Sequence, residues 1–192
     1  YDTCDFFARR GLTFAVCPGT SGWGRILNAV NNADTNIRRF SKKGLETGAA
    51  GVLNTDWGDR GHYSLLSGSL HGLAVGAAAS WNPEGMEPAV FDQAWDALFF
   101  GDAEGGCAEA LRRLSRPADR HATWMQFLEP LGKGELLENL PLDEATHLTR
   151  RSEAAAEVFE NLQETGQGDA TINEELRHAC RMMAMLGEKA QL

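Results

Sequence analysis

Two carboxylates, an indole and an imidazole are crowded into one short polar segment of the chain. Asp56, Trp57 and Asp59 stand close together, and His62 follows them. A pyranose ring has an apolar face that stacks on an aromatic side chain, and its hydroxyl groups bind carboxylates. Tryptophan combined with aspartate therefore predicts a sugar subsite. The alternative interpretation is a structural loop, in which Trp57 fills space and an aspartate caps the turn.

A second cluster, residues 18–24 (Pro-Gly-Thr-Ser-Gly-Trp-Gly), places two hydroxyls beside Trp23. It matches neither the G-x-G-x-x-G nor the Walker pattern of a phosphate-binding loop. The G-x-S-x-G pattern of a nucleophile elbow would need glycine where Trp23 stands. A substrate-facing loop and a tight structural turn both remain open.

The four cysteines, Cys4, Cys17, Cys107 and Cys180, are widely spaced and form no C-x-x-C pair. This spacing favours four reduced thiols over a disulfide framework or a zinc knuckle. His178 lies two positions from Cys180 in a helical pattern, so the two side chains point to different faces. We therefore expect neither a metal site nor a cofactor.

Two short apolar runs, residues 12–17 and 49–54, have the composition of strands that are buried on both faces of a parallel sheet. Each run is followed by one of the polar clusters and then by a helical pattern, over residues 26–40 and 65–81. The order strand, helix, strand, helix predicts an α/β fold. In such folds the ligand sites gather at the carboxyl ends of the strands, where both polar clusters lie.

The character of the chain changes after residue 84. Apolar residues recur at helical spacing over 142–162 and again over 172–186, with a stop and restart at 166–169. This pattern predicts a helical hairpin. The sequence therefore divides into an α/β part, residues 1–84, and a mostly α-helical C-terminal region, residues 85–192.

Four stretches of the α/β part carry a likeness to a known family: residues 14–23 (Phe-Ala-Val-Cys-Pro-Gly-Thr-Ser-Gly-Trp), 36–37 (Asn-Ile), 55–59 (Thr-Asp-Trp-Gly-Asp) and 61–62 (Gly-His). Together they resemble the end of the catalytic domain in bacterial family 20 glycoside hydrolases, the β-N-acetylhexosaminidase type. The likeness covers roughly residues 1–84. It implies that residues 12–17 and 49–54 are the seventh and eighth strands of a partial (β/α)8 barrel, represented here by its last two βα units.

The resemblance also implies roles for the polar segment. Trp57, Gly58 and Asp59 are similar to the family's Trp-Gly-Glu, in which the tryptophan lines the subsite for the terminal sugar and the acid binds outer hydroxyls. Asp59 replaces the glutamate and is shorter by one methylene. The resemblance implies that Trp23 faces the same sugar. Asp56 and His62 complete the set of substrate-binding candidates.

The family's substrate-assisted mechanism uses an Asp-Glu pair after the fourth strand, and the resemblance leaves strands one to six outside this chain. The resemblance therefore implies the C-terminal portion of a glycoside hydrolase acting on β-linked N-acetylhexosamine-type sugars. It would contribute sugar-binding loops without the catalytic acid, so we expect the isolated chain to be inactive. A non-catalytic carbohydrate-binding module and a helical assembly module are the alternatives.

Charge and hydropathy narrow the expected partners. The formal net charge of -9 leaves no basic surplus for nucleic acid. There is no apolar run long enough for a membrane span and no signal-peptide pattern, so we expect a soluble protein, and reduced cysteines favour the cytoplasm. The chain starts at Tyr1 inside a helical pattern, which suggests a fragment of a longer protein. The expected partners are a carbohydrate and, to cover open sheet edges, the remainder of the barrel or a second copy of the chain.

Overall fold

A computed structural model describes residues 2–59, 61, 63–85, 87–102, 104–118, 123–131 and 140–192. Helices account for most of this structure. They are α1 (Asp2–Arg9), α2 (Val30–Glu46), α3 (Leu66–Trp81), α4 (Pro88–Trp95), α5 (Cys107–Ala118), α6 (Thr123–Leu128), α7 (Leu142–Thr165) and α8 (Ala170–Lys189), and a π-helix (Asp96–Phe100) continues α4.

The two predicted strand segments lie side by side but pair at isolated positions. Val16 with Val52 and Gly19 with Thr55 form parallel bridges in the same register. Pro18 stands between the bridges, and its carbonyl oxygen accepts a hydrogen bond of 2.8 Å from the Thr55 N–H. Because proline has no N–H to donate, the hydrogen-bond ladder is interrupted there.

The expectation of an α/β fold with a partial (β/α)8 barrel is wrong. Within the described ranges there is no strand, no sheet and no barrel, and the protein is helical. A central barrel strand is covered on both faces, whereas here Val16 is buried while Cys17 and Leu53 are exposed. The two segments are therefore a surface pairing held against helices, and they are not the seventh and eighth strands of a barrel.

The hydrophobic core lies between the helices. Helices α2 and α3 pack on each other, α5 packs on α2 and α7, and α7 forms a hairpin with α8. Its largest buried side chains include Ile37, Phe100, Leu111, Phe159 and Met183. Burying a side chain of this size contributes roughly 1.5–3 kcal/mol, so the interhelical core is the main source of stability.

The helical hairpin predicted from the sequence is confirmed. Helix α7 ends at Gly166, whose φ of 71° is the left-handed conformation that glycine adopts without strain. Asp169 then caps α8, since its side chain accepts hydrogen bonds from the N–H groups of Thr171 and Ile172 at 2.9 and 3.1 Å. Both signals are local, which is why the sequence alone could reveal them.

A network of charged side chains ties the helices together. Asp92 of α4 contacts His71 of α3 at 3.0 Å and binds Arg112 of α5. Arg112 also reaches Asp34 of α2 at 3.4 Å, and Asp34 in turn binds Arg38 at 2.6 Å. The network links four successive helices of the chain, α2 to α5.

None of the helices in the described ranges combines the length and the apolar character that crossing a membrane requires.

Candidate functional site

The carboxylate of Asp56 joins three parts of the chain at the end of the paired segments. Thr20 donates a short hydrogen bond from Oγ1 to Asp56 Oδ1, and Ser69 of α3 donates from Oγ to Asp56 Oδ2 at 2.9 Å. Asn28 donates from Nδ2 to Ser69 Oγ and to the carbonyl oxygen of Thr20, both at 3.1 Å. Both oxygens of Asp56 are thus bound within the protein, and the residue anchors the loop that follows it.

Trp23 lies over the junction of the two paired segments. A Cβ atom on Gly19 would lie 3.1 Å from Cζ3 of Trp23, closer than an ordinary contact, so the absence of a side chain at Gly19 allows the ring to approach. The same Cβ would lie 3.2 Å from Oγ1 of Thr55, which places Trp23 beside the segment that leads into Asp56. The indole remains 40% exposed.

The backbone of this loop is held in an unusual conformation. Ser21 has φ of 60°, in the left-handed region that non-glycine residues rarely occupy. Its carbonyl oxygen accepts from the Ala29 N–H at 3.1 Å, and its Oγ accepts from Nδ2 of Asn32 at 2.9 Å. Such strain persists where surrounding contacts impose it, and it is common at binding sites.

Trp57 and Asp59 follow the anchored carboxylate and face solvent. The side chain of Trp57 is 57% exposed. Asp59 is also exposed, and it makes no hydrogen bond or ion pair with any residue that the structure describes. A free carboxylate two positions from an exposed indole leaves both groups available to a ligand.

Tyr63 and Trp124 extend the same end of the molecule. Their rings stack with centroids 4.6 Å apart and an interplanar angle of 19°. Thr123, beside Trp124 in α6, accepts a hydrogen bond of 3.0 Å from the Ile26 N–H, which brings α6 next to the loop of Trp23. We call the exposed side chains of Trp23, Trp57, Asp59 and Tyr63 the aromatic surface.

Of the residues singled out in the sequence, the structure brings Trp23, Asp56, Trp57 and Asp59 to one end of the molecule. His62 lies outside the described residues. Sequence reasoning missed three contributors: Ser69 and Asn28, which hold the Asp56 anchor, and the Tyr63–Trp124 stack. Ser69 and Asn28 carry no spacing signal, because small polar residues look the same in a sequence whether they face solvent or hold a carboxylate in place.

No group of three or more His, Cys, Asp or Glu side chains is arranged to hold a metal ion among the described residues. All four cysteines are free in this structure.

Comparison with known proteins found no family model, no curated protein and no solved structure that matches this chain. The TIM-barrel description is wrong because the described structure is helical, and nothing supports an assignment as a hydrolase or glycosidase. The likeness to family 20 therefore rests on the quoted residues alone. What the structure itself defines is a helical protein that presents two exposed indoles and a free carboxylate beside an anchored aspartate.

Proposed function

We propose that this chain binds carbohydrate on the aromatic surface and does not hydrolyse it. The main support is the position of Trp57 and Asp59, which come just after the anchored Asp56 in the chain and remain exposed. The Asp56 hydrogen bonds hold the loop in place before a ligand arrives. Less ordering free energy is then lost on binding, which favours affinity.

The chemistry of the exposed groups suits a sugar. The face of a pyranose ring can stack on the indole of Trp57 or Trp23, and Asp59 can accept hydrogen bonds from two neighbouring hydroxyls. The resemblance of residues 57–59 to the family 20 motif suggests β-linked N-acetylhexosamine as the sugar class. Neutral sugars also agree with the acidic character of the chain, because they require no basic partner.

Binding without cleavage follows from the roles of the two carboxylates. The usual glycosidase scheme needs two carboxyl groups on either side of the scissile bond, about 5–9.5 Å apart. Here Asp56 already accepts hydrogen bonds on both oxygens, and Asp59 lies on the same loop. Because both oxygens of Asp56 are engaged by Thr20 and Ser69, we assign neither carboxylate the role of proton donor.

Calorimetric titration with N-acetylglucosamine and with its β-1,4-linked disaccharide tests the proposal. We expect saturable binding that Trp57→Ala weakens by about tenfold, since one stacking contact contributes about 1 kcal/mol or somewhat more. Trp81→Ala is the matched control, because Trp81 is 92% exposed at the end of α3, and it should bind like the unchanged protein. Equal affinity in all three proteins would exclude the aromatic surface as the binding site.

The carboxylate is tested separately. Asp59→Asn should weaken binding by about tenfold, because hydrogen bonds to a charged group contribute roughly 1.5–3 kcal/mol. Asp143→Asn, an exposed position at the start of α7, should change nothing. The same preparations should release no phenol from an aryl β-N-acetylglucosaminide. Release that Asp59→Asn abolishes would instead make the chain an enzyme with its own acid.

The alternative function is helical assembly. Trp81 and Leu98 are large apolar side chains that are almost fully exposed. If no sugar binds and the chain self-associates in analytical ultracentrifugation, with Trp81→Ala or Leu98→Ser dispersing the oligomer, the assembly function replaces the carbohydrate proposal.

A further inference from the structure

A cleft of about 650 Å³ lies between α4, α5 and α7, and it shares no residue with the aromatic surface. Its walls are largely apolar and are built from small side chains such as Ala89, Ala154, Ala155 and Val158. The volume is within the range of about 300–1,000 Å³ that is typical of sites for small organic molecules. Alanine in place of larger residues on facing helices is what leaves the space.

The π-helix forms one edge of the cleft. Asp96 is its first residue, and the carboxylate of Asp96 accepts hydrogen bonds from the N–H groups of Gly106 and Ala108, both at 2.9 Å. These bonds fix the start of α5 against the π-helix. Turns of π-helix are rare and occur frequently at functional sites.

Each carboxylate that lines the cleft already has partners within the protein. Asp92 is bound by Arg112, and Asp96 by two backbone N–H groups. Glu109 is paired with Arg113 at 2.7 Å. All three acids are therefore engaged within the protein.

The two arginines on the α7 side of the cleft have hydrogen-bond donors without a partner among the described residues. Arg150 has neither an ion pair nor a hydrogen bond with any described residue. Arg151 binds Glu144 through Nη2 at 2.8 Å, while its Nε is buried and has no partner in the described part of the chain. Arg150 and the Nε of Arg151 are therefore cationic donors at the cleft that have no partner among the described residues.

We propose that this cleft binds a small organic carboxylate. The carboxylate would bind Arg150 and Arg151, whose planar guanidinium groups match its geometry, and the apolar body would lie on the alanine-lined walls. The inference is independent of carbohydrate binding, because it rests on different residues.

A pair of probes with the same ring separates charge from hydrophobic contact. We expect 2-naphthoate to bind saturably in a calorimetric titration, and the uncharged 2-naphthalenemethanol to bind about tenfold more weakly or not at all. Arg150→Gln should lower the affinity for 2-naphthoate by about tenfold. Arg9→Gln, which removes an exposed arginine of α1 far along the chain, should leave it unchanged.

A second variant tests the space itself. Ala154→Trp, at an exposed position on the cleft wall, should abolish binding of both probes while the circular dichroism spectrum and the Tm stay those of the unchanged protein. Equal binding of 2-naphthoate by the unchanged protein, Arg150→Gln and Ala154→Trp would overturn the proposal. So would equal binding of the two probes, or an equal loss in Arg9→Gln. Titration of Arg150→Gln with N-acetylglucosamine should match the unchanged protein, which keeps the two sites distinguishable.

Discussion

Arg112 binds Asp92 through two nitrogens of its guanidinium group, with Nε 2.5 Å from Oδ2 and Nη2 2.8 Å from Oδ1. The side chains of Arg112 and Asp92 are 13% and 18% exposed. His71 Nε2 lies 3.0 Å from the same Oδ1, and the His71 ring packs edge-on against Phe91 and Trp95. A bidentate pair of this kind fixes α4 and α5 relative to α3.

Asp92→Asn should therefore destabilise the fold strongly. The change leaves the largely buried Arg112 with only the more distant Asp34 carboxylate, at 3.4 Å, and breaking such a pair costs about 3 kcal/mol. The free energy of unfolding from urea titration, followed by circular dichroism, measures the loss. Glu109→Gln removes an acid from an exposed pair with Arg113 and should change stability by less than about 0.5 kcal/mol. Similar losses in both variants would show that the Asp92–Arg112 pair stabilises the fold no more than the exposed Glu109–Arg113 pair.

The same carboxylate should make stability depend on pH. Burial acts to raise the pKa of Asp92, but hydrogen bonds from His71 and Arg112 outweigh it and hold the pKa below the ordinary 3.8. The unfolded chain then binds a proton more readily than the folded one, so the Asp92 contribution is present above pH 3.8 and is lost as the pH falls through the lowered value. The stability difference between the unchanged protein and Asp92→Asn should shrink in that acid range. A difference that stays constant with pH would contradict this.

Helix α3 begins without a cap of its own, and α8 supplies one. The Oε2 atom of Glu175 accepts hydrogen bonds from the N–H and the Oγ of Ser67, at 3.2 and 2.6 Å. Glu175→Ala should lower the free energy of unfolding by about 1.5 kcal/mol, because it removes a charged acceptor at a helix N-terminus. Glu174→Ala, next to it and exposed, serves as the control and should have little effect in the same urea titration. Equal losses would mean that the effect comes from general charge and not from the cap.

The four thiols should differ widely in reactivity. Cys17 is exposed, whereas Cys107 and Cys180 are buried. Burial raises the pKa of Cys180 to about 12, and burial together with the Asp96 carboxylate raises the pKa of Cys107. Because the thiolate is the form that is alkylated, iodoacetamide should label Cys17 first and the three buried thiols, which include Cys4, far more slowly in the native protein. Mass spectrometry of peptides measures the order, and uniform labelling in denaturant is the control.

The extended segments show how far a local pattern reaches. The apolar runs at residues 12–17 and 49–54 predicted two strands. The structure does pair Val16 with Val52, and Gly19 with Thr55 just beyond the runs. The barrel expectation was wrong because an apolar run reports hydrophobicity and not the number of neighbouring strands. Pro18, which has no N–H to donate, interrupts the pairing between the two bridges.

Part of the candidate site could be predicted from residue type, and part depends on tertiary contacts. Trp23, Asp56, Trp57 and Asp59 were found from residue type, because they lie in the two polar clusters that follow the apolar runs. The hydrogen bonds that anchor Asp56 were not found from the sequence, because Ser69 reaches the carboxylate from helix α3. Hydrogen-bond partners of this kind leave no periodic trace in a sequence.

By itself the sequence determined the α7–α8 hairpin, its Gly166 stop and its Asp169 cap, because these depend on neighbouring residues. Only the tertiary structure decided that Arg112 meets Asp92 and that Arg150 faces a cleft shared with α4 and α5. The physical reason is that charge pairing and cavity shape depend on how whole helices pack. Such packing brings together residues whose spacing along the chain carries no information about their contact.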